Sequence, residues 1–300
     1  MSFINIAIIL LSCGFHALWN VLTQTSKNPN LFSGLKGVFI LGVSLVFYLI
    51  FDINSFPGEI LIWALLSGVL HGFYIYCLSK AYHTQDISYV YPIARSAPVF
   101  VPVFAWFFLG EVLGPVVLPA IAIILTAVYI LHFDGHLIRG FKNIFDAILH
   151  RDLRWAFYTL GMVISYSIVD KAGMDKFFQY YPQQPFANGF LFFFLEGFVC
   201  FTLYIAYICA VYNRDAIFSA WRADWKKALV AGLATIVSYG LICVALQFES
   251  VSSVVAVRQI SVVMVVIWGC WKLGESFGQK RMLAAGLMVL GVAIMALGKD

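Results

Sequence analysis

Charge is the scarcest property of this sequence. Asp, Glu, Lys and Arg make up only 11% of its 300 residues, whereas 62% are hydrophobic. A soluble domain carries about 25% charged residues and about 45–50% apolar ones. This deficit excludes a soluble globular domain and a disordered chain, and it indicates an all-α polytopic membrane protein.

Signatures of other protein classes are also missing. The net charge of +4 is small, and no exposed run interleaves basic with aromatic residues, so we expect no nucleic-acid partner. The six cysteines form no CxxC pair and no Cys/His cluster. His16 and His71 fall on separate predicted helices without HxxxH spacing. We therefore expect no metal, no cofactor and no catalytic residues.

Long hydrophobic runs are abundant. About 20 apolar residues span the hydrocarbon core of a bilayer as a helix. On that basis the sequence predicts ten transmembrane helices, near residues 2–24, 31–51, 60–80, 86–110, 113–132, 153–173, 186–212, 226–247, 251–273 and 279–298. The first segment lacks the charged start and the small-residue cleavage site of a signal peptide, so we expect it to be a membrane helix.

The longest polar stretch lies in the middle of the chain, from Phe133 to Arg154. Its apolar residues recur at helical spacing, which is typical of an amphipathic helix at the membrane surface. We therefore divide the chain into a first five-helix repeat at 1–132, a polar linker at 133–152 and a second five-helix repeat at 153–300.

Lysine and arginine are distributed unevenly among the loops. Loops after the odd-numbered predicted helices, with their flanking helix ends, hold thirteen of them, and the opposite side holds three. The positive-inside rule places the richer side in the cytoplasm. Both termini are therefore predicted to face away from the cytoplasm.

Two halves of the chain can be aligned. The segment 88–111 matches 252–275 without a gap. Both segments begin with serine, Val90 aligns with Val254, and the last three residues of both segments are Leu-Gly-Glu. Because each half has an odd number of helices, the second half enters the membrane with the opposite sense. The sequence thus predicts an inverted repeat, in which secondary transporters place the substrate between the halves near mid-membrane.

The sequence resembles the drug/metabolite transporter superfamily, in its ten-helix EamA-type branch. The resemblance rests on LGE at 109–111 and 273–275, YPIARSAPVFVP at 91–102, VRQISVV at 257–263 and FHALWN at 15–20. It covers nearly the whole chain. It implies carrier-mediated movement of small metabolites, often efflux, without ATP hydrolysis. It also implies cytoplasmic termini, against the orientation that the loop charges favour.

Two arginines inside predicted spans are the sharpest candidates for solute binding. A charged residue at the bilayer centre costs about 2.5–3.5 kcal/mol on insertion scales, and a guanidinium cannot lose its proton. Arg95 and Arg258 lie on repeat-related helices and are predicted to meet a carboxylate or phosphate in one cavity. Tyr91 shares the face of Arg95, and Gln259 flanks Arg258. Alternatively, each arginine pairs with an internal acid and only fixes helix packing.

Polar residues on other predicted helices are candidates for the same cavity. They share helix faces at spacings of three or four residues. We predict that helices 1, 3, 4, 6, 8 and 9 line the cavity. In addition to Arg95, Arg258, Tyr91 and Gln259, the substrate-binding candidates are His16, Asn20, His71, Tyr74, Tyr166 and Tyr239.

Three ionisable residues are candidates for a coupling proton. His16 has the side-chain type that titrates near neutral pH, and Asp170 and Glu196 are acids within predicted spans. The alternatives are a hydrogen-bonded core histidine, an Asp170 near water at a helix end, and a structural ion pair of Glu196 with an arginine. Glu111 and Glu275, which end helices 4 and 9, are predicted to cap the next helix or to form salt bridges.

These features predict a secondary-active transporter that exports a small anionic or zwitterionic metabolite, such as an amino acid or organic acid, by proton-coupled alternating access. We expect a bacterial inner membrane, contact with membrane lipid, and a monomer or homodimer. Two alternatives stay open. One is a flippase for lipid or lipid-linked head groups with the same fold. The other is a membrane-embedded enzyme, which would require a convergent set such as a His/Asp/Glu metal cluster.

Overall fold

The computed structural model describes residues 1–50, 56–84, 96–133, 154–273 and 279–297. All regular secondary structure in these ranges is helical, as the sequence predicts. The helices are α1 (Phe3–Gln24), α2 (Pro29–Ile50), α3 (Gly58–Thr84), α4 (Ala97–Leu109), α5 (Val117–Phe133), α6 (Arg154–Tyr180), α7 (Pro185–Val211), α8 (Arg214–Leu246), α9 (Val251–Val257), α10 (Ile260–Leu273) and α11 (Gln279–Leu297). Apart from Phe133, the amphipathic linker predicted at 133–152 lies outside the described residues.

The apolar character of the helices extends to their outer surfaces. Five helices, α1, α2, α3, α7 and α8, are long and apolar enough to cross a membrane, and α4, α5, α9 with α10, and α11 contain shorter apolar stretches. Leu49 is 80% exposed and Phe107 is 73% exposed. Large apolar side chains turned outward in such numbers are expected where the surrounding solvent is lipid.

Two helices extend beyond their predicted limits. α6 continues to Tyr180, past the predicted end at 173. α8 begins at Arg214, well before the predicted start at 226. Asn213 explains the early start, because its side chain caps the helix by accepting a hydrogen bond from the Ala216 amide at 2.8 Å.

The predicted ninth span is interrupted in its interior. α9 ends at Val257 and α10 begins at Ile260, so Arg258 and Gln259 lie in a break where the sequence predicts one continuous helix. Around the break, amides bond to carbonyls three residues earlier, as Gln259 does to Ala256 at 3.1 Å. The Ser261 hydroxyl donates to the Arg258 carbonyl at 2.7 Å and satisfies a backbone group that the break exposes.

Helices pack mainly against the opposite half of the chain. α1 packs on α8, and α3 packs on α6. Because α1 corresponds to α6 and α3 corresponds to α8 in the repeat, the two contacts are equivalent, with the halves exchanged. α2 packs on α7, α4 on α9, and α5 on α11. This exchange of equivalent helices is the arrangement of an inverted repeat, with the interface between the halves at the centre of the molecule.

Small residues allow α7 to approach its neighbours closely. A Cβ atom at Gly68 of α3 would lie 2.5 Å from the Glu196 carbonyl oxygen and 2.7 Å from the Val199 Cβ. A Cβ at Gly37 of α2 would overlap the Phe201 ring. These contacts fix the height and rotation of α7, on which Glu196 lies.

Candidate functional site

A cavity of about 300 Å³ lies between the two halves. Its wall is formed by residues of α1, α2, α3, α6, α7 and α8, together with Arg258 at the break between α9 and α10. The sequence-based prediction of lining helices did not include α2 and α7. Helix 4 was predicted to line the cavity, but none of its described residues, 96–109, does so.

The structure brings most of the predicted site residues together. The predicted substrate-binding residues in the cavity wall are His16, Asn20, His71, Tyr74, Tyr166, Tyr239 and Arg258. Glu196 lines the cavity as well. Tyr91 and Arg95 lie outside the described residues. Gln259 does not line the cavity: it is 4% exposed, and its side-chain amide donates to the Val255 carbonyl at 3.4 Å.

Aromatic rings enclose the His71 imidazole. The Tyr166 ring stacks on it with a centroid distance of 4.0 Å and an interplanar angle of 26°. The Tyr239 ring meets it edge-on at 5.0 Å. Tyr74 in turn packs edge-on against Tyr166 at 5.5 Å. The cage holds the imidazole in one orientation, with both ring nitrogens aimed at polar partners.

Ser67 links two buried carboxyl groups. Its hydroxyl lies 2.5 Å from Asp170 Oδ1 and also forms a hydrogen bond with Glu196. Ser67 and Asp170 are fully buried, and Glu196 is 2% exposed. Asp170 therefore lies inside α6 and away from water, which excludes the alternative of a wet helix end.

Tyr239 and His71 extend this network. The Tyr239 hydroxyl donates to Asp170 Oδ2 at 2.5 Å, and His71 Nε2 lies 3.0 Å from the same hydroxyl. His71 Nδ1 lies 3.1 Å from the Ser67 carbonyl oxygen and 3.7 Å from Glu196 Oε2. Five side chains of α3, α6, α7 and α8 thus share one set of polar contacts.

The Ser67 hydroxyl has more partners than it has hydrogens. It lies within hydrogen-bond distance of Asp170, Glu196 and His71 Nδ1, and a serine hydroxyl has one hydrogen to donate. It can donate to only one of the two carboxyl groups, and a proton on the other carboxyl would complete the second contact. Two neighbouring carboxyl groups that share one proton also avoid the repulsion of two buried like charges. A pair in this arrangement is chemically able to share one proton.

The same cluster contains the donor types of a metal site. Ligand atoms of His71, Asp170 and Glu196 lie within 4.8 Å of one another. The expectation of no metal site considered only spacing along the chain, and it did not foresee that three helices bring these residues together. The same carboxyl groups also form hydrogen bonds with the Ser67 and Tyr239 hydroxyls.

Arg258 lies beside this network at the helix break. Its guanidinium carbon is 5.3 Å from the centroid of the Tyr239 ring. Its charge interacts with both Asp170 and Glu196. Arg258 therefore lies near the two acids and also lines the cavity, so both roles that the sequence left open for it stay predictions.

Lys36 of α2 is a cavity residue that the sequence reasoning missed. It lines the cavity and is 4% exposed. A count would have found it, because sixteen of the 19 lysines and arginines fall in loops and helix ends, which leaves Lys36, Arg95 and Arg258 inside predicted spans. The same rule that singled out the arginines applies to a lysine.

His16 faces the cavity but stands apart from the carboxyl network. Its ring meets the Trp19 ring edge-on at 4.9 Å, and both residues line the cavity. The Asn20 side chain donates to the His16 carbonyl at 2.8 Å on the same helix. The two candidates predicted on helix 1, His16 and Asn20, are therefore both in the cavity wall.

Comparison with known proteins now identifies the family. The model of the EamA-like transporter family matches residues 3–133 and 153–297. The chain belongs to the EamA-like transporter family. It is therefore an integral membrane protein of a transporter family, with two EamA repeats that match the inverted five-helix halves.

Solved structures support the fold of this EamA-like protein. One, titled "Crystal structure of protein", covers 99% of this chain and 98% of its own length, with a TM-score of 0.73 and 12% sequence identity. At that identity the likeness concerns the fold alone. No curated protein matches the sequence significantly.

Glu111 joins the two halves of the EamA-like molecule at the start of α9. Gly110 ends α4 with a left-handed backbone, φ 66°, a conformation that glycine adopts without strain. The turn aims the Glu111 carboxylate at the start of α9, where it accepts from the Val251 amide at 2.7 Å and the Ser252 hydroxyl at 2.7 Å. Glu111 thus caps a helix of the opposite half and not the next helix. Glu275 lies outside the described residues.

Proposed function

We propose that this chain is a proton-coupled secondary transporter of a small anionic or zwitterionic organic solute, such as an amino acid or organic acid, and that it exports the solute across a bacterial inner membrane. The observation that carries the proposal is the carboxyl pair of Asp170 and Glu196, which shares the Ser67 hydroxyl beside a cavity between the two halves. The substrate-binding residues we propose are His16, Asn20, His71, Tyr74, Tyr166, Tyr239 and Arg258.

The size of the cavity supports a small solute. Pockets for small molecules hold about 300–1,000 Å³, and this cavity lies at the lower limit. Its aromatic and hydrogen-bonding wall suits an organic molecule with polar ends. The position between two inverted halves allows access to alternate between the two sides as the halves rock against each other.

The carboxyl pair supplies the coupling step. When the pair holds its proton, it carries one negative charge, and when it loses the proton, it carries two. Arg258 and His71 lie beside the pair, so its protonation changes the charge that a bound solute meets. A solute and a proton that bind in this way influence each other's affinity reciprocally.

Proteoliposomes that enclose a pH-sensitive dye test this proposal. A panel of amino acids and organic acids is added outside, and the proton flux that each solute induces is recorded. We expect at least one solute to induce flux in the wild type, and we expect Glu196→Gln to abolish the proton movement. Glu59→Gln is the control, because Glu59 is 54% exposed and pairs with Lys176 at 3.0 Å away from the cavity.

The outcomes separate the parts of the proposal. Solute movement without proton movement would leave transport standing and remove the coupling. Flux that requires an added divalent metal and disappears with a chelator would assign the carboxyl cluster to a metal. The direction of transport is determined by comparing proteoliposomes in which the protein has the two opposite orientations. The number of subunits is measured by light scattering in detergent, where we expect a monomer or homodimer.

A further inference from the structure

The backbone at Lys36 packs closely against two neighbouring helices, and this packing places the side chain in the cavity wall. Its carbonyl oxygen would lie 3.1 Å from a Cβ atom at Gly232 of α8, and the neighbouring Gly37 faces the Phe201 ring of α7. α2 is therefore wedged between α7 and α8 at this height. Lys36 is only 4% exposed, and it lines the cavity.

The ammonium group of Lys36 lies over an aromatic face. Its Nζ is 3.7 Å from the centroid of the Trp19 ring. A desolvated cation–π contact contributes about 2 kcal/mol, whereas burying an ion costs several kcal/mol. Trp19 alone does not offset the burial of this charge.

Three lysines of the described chain, Lys171, Lys176 and Lys227, have carboxylate partners, and Lys36 does not. Lys171 pairs with Asp175 at 2.6 Å, whereas among the described residues no carboxylate lies within ion-pair distance, 4.0 Å, of Lys36. Arg258 is different as well, since its charge interacts with Asp170 and Glu196. Lys36 is thus a cavity amine without a carboxylate partner among the described residues, and an anionic group bound in the cavity would supply one.

We infer that Lys36 is the anion-binding residue of the cavity and that it takes a carboxylate or phosphoryl group of the transported solute. The inference rests on the proposed function and narrows the solute to one with an anionic end. Ser33 lies three residues earlier on the same face of α2, also lines the cavity, and offers a hydroxyl donor. Trp19 keeps the ammonium group in place when the solute leaves.

Ligand-dependent thermal stabilisation of the purified protein in detergent tests this inference. The probes are L-alanine, succinate, glycerol 3-phosphate and, as a cation without an anionic group, choline. We expect stabilisation of the wild type by an anionic or zwitterionic probe and not by choline. Stabilisation by glycerol 3-phosphate alone would assign the phosphoryl group, and stabilisation by alanine or succinate would assign the carboxylate.

Variants at position 36 decide the role of the lysine. Loss of a charge-assisted hydrogen bond weakens binding by at least about tenfold, so we expect that reduction in Lys36→Met and near wild-type affinity in Lys36→Arg. Lys226→Met is the matched control, because Lys226 also lies over a tryptophan, Trp225, at 5.6 Å, but does not line the cavity.

Three results would overturn the inference. The first is the lack of any anion-dependent stabilisation of the wild type, and the second is equal affinity in Lys36→Met. Proton-linked flux that persists unchanged in Lys36→Met would likewise remove this role while leaving transport in place. Absence of solute flux in the wild type would instead remove the proposed function.

Discussion

Ser67 is the residue on which the carboxyl network depends. Its hydroxyl contacts Asp170 and Glu196, which come from two different helices of the second half, while Ser67 itself belongs to the first half. Both acids are buried, so bulk water does not solvate them in place of the hydroxyl. A single hydroxyl thus connects the two repeats at the proposed proton site.

Removing this hydroxyl tests its energetic importance. Ser67→Ala leaves two buried carboxyl groups without their shared partner, so we expect the free energy of unfolding to fall by about 1–3 kcal/mol. The measurement is reversible unfolding in mixed micelles. Ser165→Ala is the control, because the Ser165 hydroxyl bonds to the Gly161 carbonyl of its own helix, at 2.8 Å. An equal decrease in the free energy of unfolding in the two variants would show that the shared contact stabilises no more than a hydrogen bond within one helix.

At the scale of the elements, the contact of α3 with α7 positions Glu196. A Cβ atom added at Gly68 would meet the backbone of Glu196 at 2.5 Å. At Gly72, one turn later, an added Cβ would have its nearest α7 atoms at 3.6 Å, which is ordinary van der Waals contact. The same helix pair therefore offers a crowded glycine and an uncrowded one.

Alanine substitution at the two glycines should give opposite results. In Gly68→Ala the added methyl meets backbone and has to push α7 away, so we expect loss of proton-coupled flux and of about 1–3 kcal/mol of stability. In Gly72→Ala the methyl makes ordinary contacts, and we expect flux near wild type. Thermal melts and the dye assay measure both quantities. If Gly72→Ala were the more damaging variant, the packing account of Glu196 would fail.

A second feature at this scale is the contact of Glu111, which follows α4, with Val251 and Ser252 at the start of α9. We call this contact the clasp. Glu111 accepts hydrogen bonds from the first residues of α9, across the boundary between the halves. Capping interactions of this kind contribute about 0.5–2 kcal/mol. In Glu111→Ala we expect the amides of 251–257 to exchange hydrogen up to about tenfold faster, as measured by mass spectrometry. Unchanged protection of this segment, with Glu59→Ala as reference, would count against the clasp.

For the whole molecule, the cavity and the clasp lie at different depths. The cavity wall includes Pro29, Asn30 and Ser33 at the start of α2, so it reaches the loop between α1 and α2. That loop is on the lysine- and arginine-rich side, which the sequence predicts to be cytoplasmic. Glu111 follows the far end of α4 and accepts from the Val251 amide. If the predicted orientation is right, the cavity reaches the cytoplasmic side.

Sidedness is measurable with single cysteines in a background without native cysteines. We expect Ser33→Cys to react with a membrane-impermeant thiol reagent in everted vesicles and not in intact cells. Val112→Cys, at a position that is 83% exposed beyond the clasped end, should react in intact cells. The reverse pattern would place the termini in the cytoplasm, as the family resemblance implies.

Composition and periodicity by themselves determined the class of this protein. Runs of about 20 apolar residues require helices in a bilayer, because backbone groups find no other partner there. The LGE endings and the five-helix count determined the inverted repeat, and the cost of polar groups inside a span singled out His71 and Glu196. These inferences depend on local sequence alone.

Only the tertiary structure decided which polar residues meet. Ser67 lies 103 residues from Asp170 and 129 from Glu196 along the chain, and their contacts depend on how α3, α6 and α7 cross. Close approach at glycines such as Gly68 controls that crossing. The break at Arg258 and the reach of Glu111 to the opposite half were equally beyond local pattern. The physical reason is that helix rotation and depth are set by packing between elements, and a pattern along one element does not contain them.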